Sequence, residues 1–217
     1  DKVMEIIDNP SRRSWNALCV RNIPDDDDIQ QTVESIIEEV RLNGDRALLD
    51  FARRFDGFEG DSLAVTEAEI RAGSERVAPE VAEAIRRAHA NIAAFHEAQL
   101  PKPVELETTP GVRCIQKPVP VEKVGLYIPG GRAPLFSTVL MLAVPARIAG
   151  CREIVLCTPD NGERGIAPEI LYAASLCGVT RIFRAGGAQA VAAMAFGTDS
   201  GPRVDKIFGP GNRFVTK

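Results

Sequence analysis

The stretch Val124-Gly125-Leu126-Tyr127-Ile128-Pro129-Gly130-Gly131 is an apolar run that stops at a proline and two glycines. It reads as a strand from Val124 to Ile128 buried on both faces, followed by a tight turn. A helical pattern then covers Ser137 to Ala149. The alternation returns three times: Ile154 to Cys157 before Pro168 to Leu176, Arg181 to Arg184 before Ala188 to Phe196, and Val204 to Phe208 before a helix opening at Asn212. Strand–helix units in series predict an α/β fold with a parallel sheet and right-handed crossovers. Nearly continuous apolar strands fit a sheet covered on both sides. A boundary falls near residue 120.

Upstream the pattern is mostly helical. Ile29, Val33, Ile36, Ile37 and Val40 recur at helical spacing, and Asn43-Gly44 stops the run. The acidic run Asp25 to Asp28 before it reads as helix capping rather than a cation site. A second helix is expected over Arg46 to Phe55, ended by Asp56-Gly57. A third opens at Pro79, with Val81, Ile85, Ala88, Ile92 and Phe95 on one side. After Pro101-Lys102-Pro103, two strands, Val104 to Thr108 and Val112 to Pro118, flank the turn Pro110-Gly111.

The composition narrows the function classes. Of 217 residues, 45% are apolar and 26% charged, enough for a sizeable core without staples. The net charge of −4 argues against a nucleic-acid surface. No run approaches the roughly 20 apolar residues of a membrane span, and the first residues do not read as a signal peptide. The five cysteines, Cys19, Cys114, Cys151, Cys157 and Cys177, are odd in number and lack Cys-x-x-Cys spacing. They read as buried free thiols that suit a reducing cytoplasm, not as disulfides or a zinc ribbon. His89 and His96 lie seven residues apart on the third helix, too far for a simple ligand pair, and read as packing or solvent-facing side chains. The chain starts at Asp1 and stops at Lys217 in the opening turn of a helix, as a piece of a longer protein would.

Three of the four strand-to-helix turns are rich in glycine: Pro129-Gly130-Gly131, Gly186-Gly187 and Gly209-Pro210-Gly211. All three belong at the carboxyl ends of parallel strands, where open α/β sheets bind ligands. Glycine admits a ligand close to the backbone, and the following helix offers amides to an anion. Tyr127, Gln189 and Asn212 stand beside these turns. A tyrosine offers a flat face and a hydroxyl, while amides both donate and accept. Each alone also reads as a helix cap or a half-buried tyrosine. Arg132 reads equally as a phosphate partner or as a surface arginine. Neither Gly-x-Gly-x-x-Gly nor a Gly-x-x-x-x-Gly-Lys loop is present. Spacing alone therefore gives an α/β domain with a nucleotide cleft.

The motifs around Tyr127, Glu169-Ile170-Leu171-Tyr172-Ala173-Ala174, Ala185-Gly186-Gly187-Ala188-Gln189-Ala190 and Val204-Asp205-Lys206-Ile207-Phe208-Gly209-Pro210-Gly211-Asn212 are similar, in order and spacing, to segments of histidinol dehydrogenases. Asn43-Gly44-Asp45 and Phe55-Asp56-Gly57 also fit. The resemblance implies NAD-dependent oxidation of L-histidinol to L-histidine through the aldehyde, with zinc, in an intertwined homodimer. It implies that residues 120–217 are a Rossmann-like NAD-binding domain. Residues 1–119 would form a helical N-terminal arm and the first part of an incomplete, truncated second α/β domain. Tyr127, Gln189 and Asn212 match the family's NAD contacts. Its zinc ligands and its Glu-His acid–base pair are expected beyond residue 217, so no catalytic or metal-binding residue is assigned within this chain, and the chain alone is expected to be inactive. Two rivals remain. One is an aldehyde-dehydrogenase-like enzyme with Cys151 as nucleophile, which needs an exposed, activated thiol. The other is a non-catalytic nucleotide-binding or oligomerisation module.

Overall fold

The computed structural model describes residues 6–20, 27–131 and 133–217. Arg132 and the Asp25-Asp26 half of the acidic run lie outside them. At the centre is a four-stranded parallel sheet built from β3 (Lys123–Tyr127), β4 (Glu153–Thr158), β5 (Arg181–Arg184) and β6 (Lys206–Phe208), in the order β5-β4-β3-β6. The intervening helices are α5 (Phe136–Ala149), α6 (Pro168–Leu176) and α7 (Gly187–Phe196), and the short α8 (Arg213–Thr216) follows β6.

Strand periodicity divides the core in two. Val124, Leu126, Ile154, Leu156 and Ile182 face one side, where α5 and α6 pack. Val155, Cys157, Phe183 and Tyr127 face the other, with α7. Successive side chains of one strand thus serve opposite layers, as the pleat requires. Gly125 lets α7 come close: a Cβ there would stand 2.6 Å from Met194 Sδ.

The N-terminal helices complete both layers. On the α7 side, α2 (Asp27–Phe51) buries Val33, Ile36, Val40 and Leu48. Its axis breaks at Gly44 (φ 49°, ψ −127°), at the Asn43-Gly44 stop read from the sequence. One π-helical turn, Ala52–Asp56, follows and ends at Gly57 with φ 68°. On the other side, α3 (Glu67–Glu75) packs on α6 and α4 (Pro79–Ala98) packs mainly on α5. Between these layers, residues 63–65 lie along the outer edge of β5: Arg184 N donates to Leu63 O, and Val65 N to Ile182 O. That pairing blunts an open sheet edge.

Several expectations need correction. Phe95 leaves the apolar stripe and is exposed. At about 1.5 Å per residue, the 20-residue α4 outruns the 14-residue α5 beneath it. Cys19 and Cys114 are exposed, because α1 (Arg12–Cys19) buries nothing and the hairpin of β1 (Val104–Thr109) and β2 (Val112–Gln116) has no covering layer. The last strand is shorter than read, since Val204 N donates to Met194 O rather than into the sheet. Helices α1 and α3 are additions to the elements the sequence pattern predicts.

Core and overhang should respond differently to truncation. Leu156 is fully buried. Leu156→Ala should cost about 2–5 kcal/mol in urea unfolding, whereas Phe95→Ala should stay within about 0.5 kcal/mol. Equal losses at the two positions would contradict the layering described.

Candidate functional site

The strand order reverses at β3. From β3 the chain steps outward to β4 and β5, then α7 carries it back to β6 on the other side of β3. The loops after β3 and β6 therefore diverge, leaving a crevice at the carboxyl ends of these two strands, the usual ligand position in open parallel sheets. A cleft of about 360 Å³ lies here, lined by Tyr127, Gly130, Gly186, Gly187 and Asn212 together with Asp56, Asp160 and Arg164. A second opening of about 620 Å³ adjoins it and shares Gly130, Asn161 and Arg164.

The glycine-rich turns meet at this one edge. A Cβ on Gly130 would stand 2.5 Å from Pro159 Cγ, and one on Gly186 would stand 2.9 Å from Pro159 Cβ. A Cβ on Gly209 would strike the Tyr127 carbonyl oxygen at 2.5 Å. Gly130, Gly186 and Gly209 are thus each packed against the end of a neighbouring strand, where a side chain has no room.

Tyr127 is buried, and its hydroxyl accepts from Gly187 N at 3.0 Å. Burial pushes the hydroxyl up from its ordinary titration range, with the Gly187 amide pulling the other way, so it is a neutral group at physiological pH with its own proton left to donate. Asn212 is exposed and caps α8: its Oδ1 accepts from Phe214 N at 3.0 Å and Val215 N at 3.3 Å. Gln189 does not line the cleft. It is buried in the first turn of α7 and folds back over Gly187, where an added Cβ would lie 2.7 Å from Gln189 Oε1. The structure therefore brings Tyr127 and Asn212 into one cavity and sets Gln189 just beneath its floor.

Two acids in the cleft escaped the sequence reading. Asp160, just after β4, is buried and accepts from Arg184 Nε at 3.1 Å. Arg184 also donates to Ala64 O and pairs with Glu69, the residue that closes a capping box with Thr66. Asp56 comes from the end of the π-helical turn. Burial, and then repulsion from Asp160, push its carboxyl up to about 6. Asp160 was findable, since it lies beyond the one strand end without a glycine turn. Asp56 was not, because nothing in sequence connects it to Gly186, 130 positions later.

Among the described residues no group of three or more His, Cys, Asp or Glu is arranged to hold a metal. His89 and His96 are half-buried on α4, with His96 edge-on to Phe95. Cys151 is buried and its thiol is pushed up by burial, the reverse of an activated nucleophile.

Thiol labelling at neutral pH should modify Cys19 and Cys114 and spare Cys151, Cys157 and Cys177 until the protein is unfolded; rapid labelling of Cys151 would reinstate a nucleophilic role. A pH effect should follow from Asp56. Folded protein keeps this proton up to about 6, while unfolded chain releases it near 3.8, so the folded state binds more protons within that window. Stability should therefore fall as pH rises through it. Asp56→Asn should flatten that fall in chemical denaturation run across this range, and an unaltered profile would remove the assignment.

Residues 20–217 match the family model described as histidinol dehydrogenase. The histidinol dehydrogenase of Bacteroides fragilis is 53% identical over 213 residues, covering 98% of this chain and 50% of that protein. That of Salmonella typhimurium is 57% identical over 191 residues, covering 88% and 43%. A crystal structure of histidinol dehydrogenase from Elizabethkingia anophelis matches with a TM-score of 0.90 at 44% identity, over 96% of this chain and 48% of that one. The chain spans about half the length of the curated relatives it matches. Sequence and backbone agree along nearly its whole length, and the chain belongs to the histidinol dehydrogenase family.

Proposed function

We propose that this chain supplies the cofactor-binding part of an enzyme that oxidises L-histidinol to L-histidine through the aldehyde, with NAD as hydride acceptor. The observation that carries the reading is the convergence of Tyr127, Asn212 and the glycine-rich turns on one cleft at the sheet's switch point, in a member of this family. The cleft fits a dinucleotide on three counts. Its turns are bare at Gly130, Gly186 and Gly209, where a side chain would strike Pro159 or Tyr127. The neutral Tyr127 hydroxyl keeps a proton to donate. Arg164 supplies positive charge beside Gly130 for a pyrophosphate. In this reading Tyr127 and Asn212 touch the cofactor, and Gln189 supports the Gly186-Gly187 turn or meets the cofactor after a rotamer change. The sheet unit from residue 120 onward holds most of the cleft, and Phe55 and Asp56 line one side of it.

When bound, the nicotinamide takes the hydride; the protein's part is to orient it. In this reading zinc is held by residues other than those described, among which no group of three or more His, Cys, Asp or Glu is arranged to hold a metal. A homodimer is supported by the β1–β2 hairpin. Its Val104, Leu106, Val112 and Ile115 are exposed, and a two-stranded hairpin is marginal in water unless something packs on it. Among the described residues no helix is long and apolar enough to cross a membrane. Five free thiols suit the cytoplasm.

Asn212→Asp, in the full-length enzyme, tests the cleft. Aspartate keeps the helix cap but removes the amide donor. The Michaelis constant for NAD should rise several-fold, as expected for a hydrogen bond of about 0.5–1.5 kcal/mol, with the thermal midpoint unchanged. An unchanged constant would overturn the assignment of Asn212.

A further inference from the structure

Asparagine followed by glycine occurs twice in this chain, at Asn43-Gly44 and at Asn161-Gly162. Such a pair can close on itself, because the glycine nitrogen reaches the asparagine side-chain carbonyl with no Cβ in the way. Asparagine is among the thermolabile residues. Backbone and side chain must both turn for the closure, and the fold treats the two pairs differently.

Asn43 lies inside α2 and keeps helical dihedrals; only Gly44 departs from them. Its Nδ2 donates to Glu39 Oε1 at 2.8 Å, and Arg46 Nη2 donates to its Oδ1. Ring closure there must break both bonds and open the helix around them, which makes it wait on a local unfolding event. Asn161 stands in the loop after β4, exposed, at the start of the short turn Gly162–Arg164. Its side chain does not cap that turn. Among the described residues it makes one side-chain bond, Nδ2 donating to Gly165 O at a long 3.4 Å. Gly162 N donates to no backbone carbonyl among the described residues. The turn is held by Gly165 N donating to Gly162 O at 3.0 Å and Arg164 N to Asn161 O at 3.4 Å. Closure needs rotation about the Asn161 Cα–C bond, whose ψ is 37°, in an exposed loop rather than in a helix.

We propose that Asn161-Gly162 is a site of spontaneous deamidation, which converts Asn161 to aspartate and isoaspartate at the lip of the cleft, while α2 protects Asn43-Gly44. The Gly162 peptide nitrogen attacks Asn161 Cγ. The new C–N bond closes a succinimide ring, the Cγ–Nδ2 bond breaks, and ammonia leaves with the proton that the Gly162 nitrogen gives up. Water then opens the ring. Addition at Cγ gives aspartate, and addition at the main-chain carbonyl gives isoaspartate.

Either product puts a carboxylate where a neutral amide stood. Asn161 and Arg164 line both openings at this edge, so the new charge joins the cation there and offsets it. Isoaspartate also adds a methylene to the main chain just before Gly162, where space is short: a Cβ on Gly162 would stand 3.0 Å from Gly57 O. The chemistry is independent of the ligand. Its effect on binding rests on the reading of this cleft as the NAD site.

The test is peptide mapping by mass spectrometry of the full-length enzyme, held at physiological pH and temperature both native and in denaturant, for wild type and Asn161→Gln. Denatured chain should convert at both pairs at similar rates. In native protein Asn161 should convert roughly tenfold or more faster than Asn43, whose reaction waits on helix opening. Glutamine closes the larger ring slowly, so Asn161→Gln should stay unmodified at this position and separates ageing here from other damage. The Michaelis constant for NAD should rise several-fold in aged wild type, hold steady as Asn161→Gln ages, and be raised from the outset in Asn161→Asp. Native Asn161 that persists as the amide while denatured chain converts, or that converts no faster than Asn43, overturns the site. If Asn161 converts but neither aged wild type nor Asn161→Asp shows a raised constant, the effect on the cleft is overturned and the modification site stands. Asn212→Asp measured alongside tells that result apart from failure of the NAD reading, and the mapping itself involves no NAD.

Discussion

A parallel sheet whose strands are apolar on both faces must be covered twice, and its own crossovers cannot do this evenly. Two of them, α5 and α6, fall on one side, and only α7 falls on the other. The remaining surface is closed by segments from outside the sheet region: α2 beside α7, and α3 and α4 over α5 and α6. Helices α2, α3 and α4 therefore back the layers on either side of the sheet, and the return of α7 past β4 and β3 fixes both the strand order and the crevice. Burial of Val155, Leu156 and their neighbours drives this arrangement, since each wholly buried aliphatic side chain contributes about 1.5–3 kcal/mol.

The same closure brings distant acids to the strand ends. Asp56 reaches the turn after β5 only because α2 lies along α7 and its π-helical extension runs on toward the carboxyl edge. Arg184, at the end of β5, gathers Asp160, Glu69 and a backbone carbonyl from the segment that caps the sheet edge. Edge protection, the start of α3 and the electrostatics of the cleft thus share one guanidinium. Its planar array of donors serves three acceptors at once, which a lysine ammonium cannot match in geometry.

Much of the sheet region was legible from the sequence because its signals are local. β5 and α6 have the bounds read from apolar runs and from proline at the first helical turn, and the other elements there differ by a residue or two. Helix α3 was also legible in principle, since Thr66 and Glu69 spell a capping box, but its run is too short and weakly apolar to stand out. Phe95 shows the limit of periodicity, which reports the face of a helix and not where its neighbour ends. Of the cleft, the turns and Tyr127 and Asn212 could be read because glycine and polar residues cluster at strand ends. Asp56 and the inward burial of Gln189 are products of tertiary packing. No spacing rule connects a helix end to a turn so far along the chain.

The capping of α8 has a thermodynamic consequence for recognition. Because Asn212 Oδ1 is held by two backbone amides, the side-chain amide is fixed in one orientation, with Nδ2 the end not used by the cap. Freezing a free side chain during association ordinarily costs about 0.5–1.5 kcal/mol. Here folding has already spent that rotamer entropy. A ligand arriving at Asn212 meets a preorganised donor, and it must itself present an acceptor at that point, which gives the edge of the cleft a fixed polarity.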